Sequence, residues 1–471
     1  MTRELTLVEA VREALREEMA RDSRVLVFGE DVGRLGGVFR ATEGLLEEFG
    51  PERVVDMPMA ELAIAGLAVG LAMRGLRPVA EIQFADFMHA AADHLIGEAA
   101  KVRYRSNGDW SCPLVVRTAY GGGFRGGPYH SQSVEAYYAH VPGLKVVAPA
   151  FAADAKGLLT AAIRDPDPVI FLEHKLTYRR VRGPVPEGEH VEEIGRARVV
   201  REGDAVTVAA YGMMLHEALA AAELLAADGI EAEVLDLRTL LPLDRETILA
   251  SVRRTGRLCA VHEDTLTMGL GAEVAASVCE VAFDALKAPP LRVAMADIGG
   301  VPVADPMEDA AIPDARRIAE AVRGLLRRRP RASAGEAFDA AIPAAASVVE
   351  VRLGEEHLAR LLEAVASACR AFPHCNAEFS WEAIRPHEDV RIDLDLGPHA
   401  RSAGGTFTVV DYGRNSSLLG VAAVRPGQTA ALRVGAVRDG RALISLSVDH
   451  RAVDGADAGR FLGHVKAFLE S

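Results

Sequence analysis

The sequence predicts two α/β domains built on parallel sheets, followed by a smaller α+β domain. Three observations carry the prediction. Buried-type strands and amphipathic helices alternate through residues 1–186 and again through 187–329, the pattern of parallel sheets covered on both faces. The stretch PRASAGEAFDAAIPAAA at 330–346 is low in complexity and reads as a linker. Residues 347–471 then change pattern, giving one long helix and a series of strand-like segments.

Taken in order, Leu5, Leu7, Val8, Val11, Leu15 and Met19 recur at helical spacing and predict a helix over 5–21, followed by the strand RVLVFGED. A helix over 60–73, the strand PVAEI, a helix through MHAAADHLIGEAAKVRY and the strand PLVVRT continue the alternation. Past the proline-rich GPVPE at 183–187, the strands AVTVAAY, EAEVLDL, RLCAVHE and LRVAMAD are separated by helices such as HEALAAAELLAADG and DRETILASVRRTG. Right-handed crossovers make this a second compact domain. The last domain has a helix over 355–372, the strands VRIDLDL, GTFTVVDYG, TAALRVGAV and ALISLSVDH, and a terminal helix over 456–469. Ligands of parallel sheets sit at the carboxyl ends of the strands.

Composition narrows the function. The 471 residues are 49% apolar and 25% charged, with 53 basic against 67 acidic side chains and a net charge of −14, which argues against nucleic-acid binding. The basic run Arg327–Arg329 with Arg331 reads as a helix end entering the linker. Cys112, Cys259, Cys279, Cys369 and Cys375 form no CxxC pair and suit a reducing compartment. The amino terminus lacks a secretory pattern, and the apolar stretch Ala63–Met73 falls short of the ~20 residues that span a bilayer. A cytoplasmic protein without a membrane segment is expected.

Three places invite chemistry. Glu61 is the one acid in the largely apolar VVDMPMAELAIAG at 54–66, after Asp56. It reads either as a first-turn acid favoured by the helix dipole or as a proton-handling carboxylate kept dry for a cofactor. GGGFRGG at 121–127 formally contains GxGxxG, but Pro128 and the polar YHSQS follow where a phosphate-binding helix should begin. A flexible loop delivering His130 is the better reading, with His130 either structural or catalytic. In DHRAVDG at 449–455, His450 and Asp454 fall on a loop after a strand.

FGEDVGRLGGVFRATEGLLEEFGPERVVD, EIQFADF, RYRSNG, YHSQSVEAYYAHVPGLKVVAP and GLLTAAIRDPDPVIFLEHK resemble, in order, the β subunit of the thiamine-diphosphate-dependent 2-oxo acid dehydrogenases of pyruvate and branched-chain type. The resemblance covers residues 1 to about 328. It implies a transketolase-like pyrimidine-binding domain at 1–186 and a transketolase C-terminal-like domain at 187–329. By position it implies that Glu61 hydrogen-bonds the aminopyrimidine ring, with a backbone contact from Met59, Gln83 beside the ring and Phe87 stacked on it. His130 matches the family's active-site histidine. The GDG motif that holds the diphosphate through Mg2+ does not occur in the sequence, so the resemblance implies an α-type subunit that supplies it. Asp165 and Asp167 match a position where some relatives hold potassium; as turn acids they have a plainer reading.

AFPHCNA, GGTFTVVDYG, RPGQTAALRVGAV and DHRAVDGADAGRFL resemble the chloramphenicol acetyltransferase-like catalytic domain of the dihydrolipoyl acyltransferases. This implies that His450 is the general base for a carrier thiol, that Asp454 orients it, and that Gly455 permits the turn. The domain is about half the family's usual size, no lipoyl or subunit-binding domain precedes it, and the family's oxyanion serine falls at Val410. Thr408 or Ser416 would have to substitute; otherwise the domain is an assembly core, trimeric as in the family. The reduced fusion resembles the dehydrogenase-like pairs of natural-product pathways. It implies transfer of a hydroxyacetyl or other acyl unit, from a ketose phosphate or a 2-oxo acid, to an acyl carrier protein or lipoyl domain in trans. The alternative is a conventional dehydrogenase β component whose last domain only oligomerises.

Overall fold

The computed structural model describes residues 2–327 and, beyond them, 346–352, 357–372, 377–379, 384–386, 392–395, 407–411, 430–434, 441–448 and 455–470. The chain divides into two compact units, 1–331 and 332–471.

In the first unit, alternation within each strand builds two cores. Val25, Val27, Val79, Val115, Val169 and Phe171 join one cluster with Leu7, Leu15 and Leu158 from helices Leu7–Arg21 and Ala152–Arg164. Their neighbours Phe28, Ala80, Ile82, Val116, Ile170 and Leu172 join the other, with Ile64 and Val69 of helix Glu61–Met73. Successive side chains point to opposite faces of a strand, so these runs bury both faces of the sheet. Its order is Thr239–Leu241, Lys145–Val147, Val169–His174, Val115–Tyr120, Arg77–Ile82, Val25–Gly29 and Val54–Asp56, parallel except at the first pair.

The five-stranded second sheet runs Leu291–Met295, Leu258–Thr265, Val206–Ala210, Ala232–Asp236 and Arg198–Arg201, parallel except for the last strand. Helix Arg245–Thr255 starts where Asp244 accepts from the Thr247 amide and stops at Gly256, whose left-handed φ of 75° suits glycine. The two halves are stitched together. Strand Thr239–Leu241, from the second stretch of sequence, pairs with the first sheet, and Leu235 and Leu258 share a cluster with Ile64.

Three local features depart from the periodicity. The first helix begins at Leu7 because Thr6 caps it in a reciprocal capping box with Glu9. Residues Thr2–Thr6 instead form a strand antiparallel to Arg182–Pro186. The helix expected through 88–104 is broken into short turns, including a π-type turn over Asp93–Glu98. There His94 lies against Gly66, where a Cβ would stand 2.8 Å from its Nε2.

The second unit holds a mixed sheet in the order Ala346–Arg352, Arg441–Val448, Ala430–Val434, Phe407–Asp411 and Ile392–Asp395. Helices His357–Ala371 and Gly455–Glu470 meet at Ser367 and His464, 3.0 Å apart. Among the described residues, no helix is long and apolar enough to cross a membrane.

Candidate active site

The candidate residues of the first unit leave the sheet at its carboxyl edge. Glu30 and Asp31 follow strand Val25–Gly29, Gln83 and Phe84 follow Arg77–Ile82, and the loop to His130 follows Val115–Tyr120. Glu61 is the first residue of helix Glu61–Met73, reached from Val54–Asp56. Parallel strands thus deliver residues distant in sequence to one edge.

Three rings form the floor. The His130 ring meets Phe84 edge-on at 4.7 Å and Phe87 at 5.6 Å, and the two phenylalanines are 6.0 Å apart. Gln83 Nε2 donates to Asp31 Oδ2 at 3.4 Å. Glu30 is 7% exposed and its Oε1 has no hydrogen-bond partner. Burial, then the charges of Glu61 and Asp31, push its carboxyl above the ordinary range. The Glu61 carboxylate is therefore close enough to be felt by Glu30. Lys175 lies beneath the rings, with its Nζ 5.6 Å from the Phe84 ring and 5.2 Å from that of Phe124, donating to Gly121 O at 2.9 Å. Burial pushes its ammonium down to about 8, against the pull of Asp86 and Glu263.

Glu61 is half-buried in the single chain. Its apolar neighbours divide: Ile64, Ala65, Ala68 and Val69 are buried, whereas Met59 is 84% and Leu62 48% exposed. The dryness expected of this run comes from the core on one side, and on the other the chain alone leaves it open.

One expectation is corrected. The glycine-rich loop is held rather than free, since Gly122 N donates to Glu263 Oε1 at 2.5 Å and Gly123 N to Glu308 Oε1 at 2.9 Å. Its glycines serve close approach: Gly121 has φ +85°, and a Cβ there would fall 2.1 Å from His174 Nε2. Asp165 and Asp167 are both engaged by the chain's own cations, Asp165 by Lys145 Nζ and Asp167 by Arg103 Nε, each at 2.5 Å. These pairings suit the plainer reading of both residues as turn acids.

Thr408 and Val410 lie on strand Phe407–Asp411, with Thr408 opposite Asp393 and Ala431, and Val410 opposite Asp395 and Arg433. His450, Asp454, Ser416 and residues 330–345 of the linker lie outside the described residues, while Ala346, its last residue, opens strand Ala346–Arg352.

Comparison with known proteins fits this geometry. Residues 3–181 match the transketolase pyrimidine-binding domain, residues 195–318 the transketolase C-terminal domain, and residues 398–471 the catalytic domain of the 2-oxoacid dehydrogenases acyltransferases. Over 321 residues the chain is 54% identical to 2-oxoisovalerate dehydrogenase subunit beta of Bacillus subtilis, a match covering 68% of this chain and 98% of that one. The chain belongs to the β-subunit family of the 2-oxo acid dehydrogenases. As a further β-type relative, the pyruvate dehydrogenase E1 component subunit beta of Bacillus subtilis is 51% identical over 294 residues, 62% of this chain and 90% of its own. Among solved structures, a split-gene transketolase described as an inactive β4 tetramer superposes with a TM-score of 0.56 at 28% identity, covering 68% of this chain and 98% of that chain. The match at 398–471 makes this β-type chain a fusion with an acyltransferase catalytic segment.

The family depends on thiamine diphosphate, and the β-type residues fit one end of it. An orphaned buried carboxyl oxygen at Glu30, the Glu61 carboxylate and the Phe84–Phe87 pair suit a flat, cationic heterocycle. The same edge is acidic, with Glu30, Asp31, Glu61 and Asp86, and a diphosphate requires cations instead.

The positional reading missed Glu30, Phe84, Lys175, Glu263 and Glu308. Glu30 had a signal, an acid directly after a buried strand. Glu263 and Glu308 had none, because the loop amides they bind lie more than 140 residues earlier and their side-chain partners His174 and Arg125 are also distant in sequence.

Proposed function

We propose that the chain forms the β half of a thiamine diphosphate site, that an α-type subunit completes it by holding the diphosphate and Mg2+, and that the acyl unit made there passes to a carrier thiol in trans. The observation that carries the reading is the Glu61 cluster, acidic and aromatic on an edge otherwise open. Bound thiamine diphosphate supplies a nucleophilic carbon and an electron sink. Glu61 shares a proton with the ring nitrogen, Glu30 keeps a carboxyl biased toward its protonated form beside it, Phe84 and Phe87 exclude water, and His130 orients the substrate. Met59 and Gln83 border the ring.

A 2-oxo acid is the donor that the dehydrogenase relatives favour. The joint at 330–346 is too short for a folded carrier domain, since chains below ~40 residues seldom fold alone, which supports a carrier in trans; a second reading, hydroxyacetyl transfer from a ketose phosphate to an acyl carrier protein, uses such a carrier. In either case covalent fusion raises the effective concentration of the last domain, to which His450 and Asp454 belong, for an acyl group made by the first. Thr408 or Ser416 is the candidate oxyanion donor. Self-association through the fused domain, as a trimer, fits the same architecture.

The test reconstitutes the chain with an α-type subunit and offers 2-oxo acids or a ketose phosphate, with an acyl carrier protein or a lipoyl domain as acceptor. Intact mass should show thiamine-dependent acylation of one carrier. No acylation from either donor class overturns the reading. Acylation unchanged by His450→Ala assigns the last domain to assembly alone.

A further inference from the structure

The loop that carries His130 is held mainly by residues from the second sheet-bearing half. Glu263, on strand Leu258–Thr265, accepts from Gly122 N through Oε1 at 2.5 Å and meets His174 Nε2 through Oε2 at 2.7 Å. Leu176 N donates to His174 Nδ1 at 3.2 Å, so Nε2 carries the proton toward Glu263. Glu308, in helix Asp305–Ala311 and 0% exposed, accepts from Gly123 N at 2.9 Å and Arg125 N at 3.2 Å and pairs with the Arg125 guanidinium. Asp305 and Asp309 bind the same guanidinium at 2.6 and 2.8 Å. Arg125 has φ +65°, a conformation that a non-glycine residue keeps only when its surroundings enforce it.

Contacts continue along the loop. A Cβ on Gly127 would stand 2.6 Å from Val303, and one on Gly300 would stand 2.7 Å from Pro128 Cβ. On the far side of His130, Gln132 N donates to Asp86 Oδ1 at 3.1 Å and Gln132 O accepts from Gly121 N at 3.0 Å. His130 therefore sits between a clamp built by residues 263–309 and a tether to Asp86.

We propose that Glu263 and Glu308 are positioning residues for His130, through which the second sheet-bearing half sets the placement of a substrate-facing group in the first. The inference rests on the reading of His130 as a group that meets substrate. Physically, an ionised carboxylate accepting two or three donors at fixed angles holds a loop more stiffly than neutral hydrogen bonds. The three consecutive glycines let these carboxylates come within bonding distance of the backbone, because a side chain at Gly122 would meet Ile312 at 2.8 Å.

The experiment uses the full chain with its α-type partner and compares Glu308→Ala and Glu308→Gln in the wild-type and His130→Ala backgrounds. In the wild-type background Glu308→Ala should lower kcat ~10–100-fold, the scale of a misplaced reacting geometry, while Glu308→Gln, which still accepts from Gly123 N, should recover part of the loss. In the His130→Ala background the same change should cost less than ~2-fold, because residues acting as one unit are not additive. Arg125→Met carries the same test if Glu308→Ala fails to fold. Hydrogen exchange provides a readout independent of turnover: amides 121–127 should exchange faster in the variants while strand Val115–Tyr120 keeps its protection. Unchanged exchange, or losses that multiply in both backgrounds, overturns the positioning role and leaves the thiamine reading standing. A wild-type complex inactive with every donor overturns that reading instead, and the exchange result then decides the clamp by itself.

Discussion

Arg117 and Glu173 form a two-point ion pair inside the seven-stranded sheet, with the guanidinium nitrogens Nε and Nη2 each 2.7 Å from a carboxylate oxygen. The pair is diagonal between neighbouring strands Val115–Tyr120 and Val169–His174, where Arg117 stands opposite Phe171 and Glu173 opposite Ala119. Arg117 Nη1 also donates to Glu81 Oε2 at 2.7 Å on the next strand, and Tyr178 OH donates to Glu173 Oε2 at 2.7 Å. One guanidinium thus serves two buried carboxylates. Burial pushes the Glu81 carboxyl up, and the attraction of Arg117 only partly offsets it.

Removing the cation strands both acids. Arg117→Met should destabilise the first unit by ~3–5 kcal/mol, the cost of breaking a buried pair from one side. Urea denaturation of the full chain measures it. A stability within experimental error of wild type would contradict the role given to this network, which lies two residues below Gln83.

Glu61 should behave in the opposite way. It is half-buried at the start of a helix, so Glu61→Gln should change stability by no more than ~0.5 kcal/mol. Thiamine-dependent turnover of the reconstituted complex should fall ~10²–10⁴-fold, the range for a lost proton-transfer group. A variant that keeps wild-type turnover removes Glu61 from the chemistry.

Lys175 sets a pH dependence. Its ammonium is held at about 8 in the folded chain, against 10.5 for an ordinary lysine. Between those values the unfolded chain binds the proton and the folded chain does not, so this group makes stability rise with pH across that window. Below 8 the burial cost is present in full. Lys175→Met should therefore be stabilised relative to wild type near pH 7, and the gap should shrink by up to ~3 kcal/mol by pH 10.5. Urea titrations at pH 7, 9 and 10.5 test this, and a constant gap would contradict it.

Much of the fold was legible because burial leaves a periodic trace. AVTVAAY, EAEVLDL, RLCAVHE and LRVAMAD all became strands of the second sheet, since a strand covered on both faces must be apolar throughout. The break within 88–105 was not legible, because a π-type turn uses the same apolar residues as a regular helix. Thr239–Leu241 read as part of the second domain, and its pairing with the first sheet rests on edge hydrogen bonds that carry no residue-type signal.

By itself the sequence determined the two sheet-bearing halves, the fused acyltransferase segment, and Glu61 with Gln83, Phe87 and His130 as the residues to examine. The halves follow from hydrophobic period, whereas the acyltransferase segment, Gln83 and Phe87 follow from the resemblance of whole strings to a known family; both signals are local along the chain. The tertiary structure decided that Glu30 lies buried beside Glu61, that Phe84 shares the ring cluster with His130, and that Glu263 and Glu308 grip the glycine-rich loop. Those relationships depend on backbone amides and charges brought together across the fold, and a backbone amide is the same in every residue but proline.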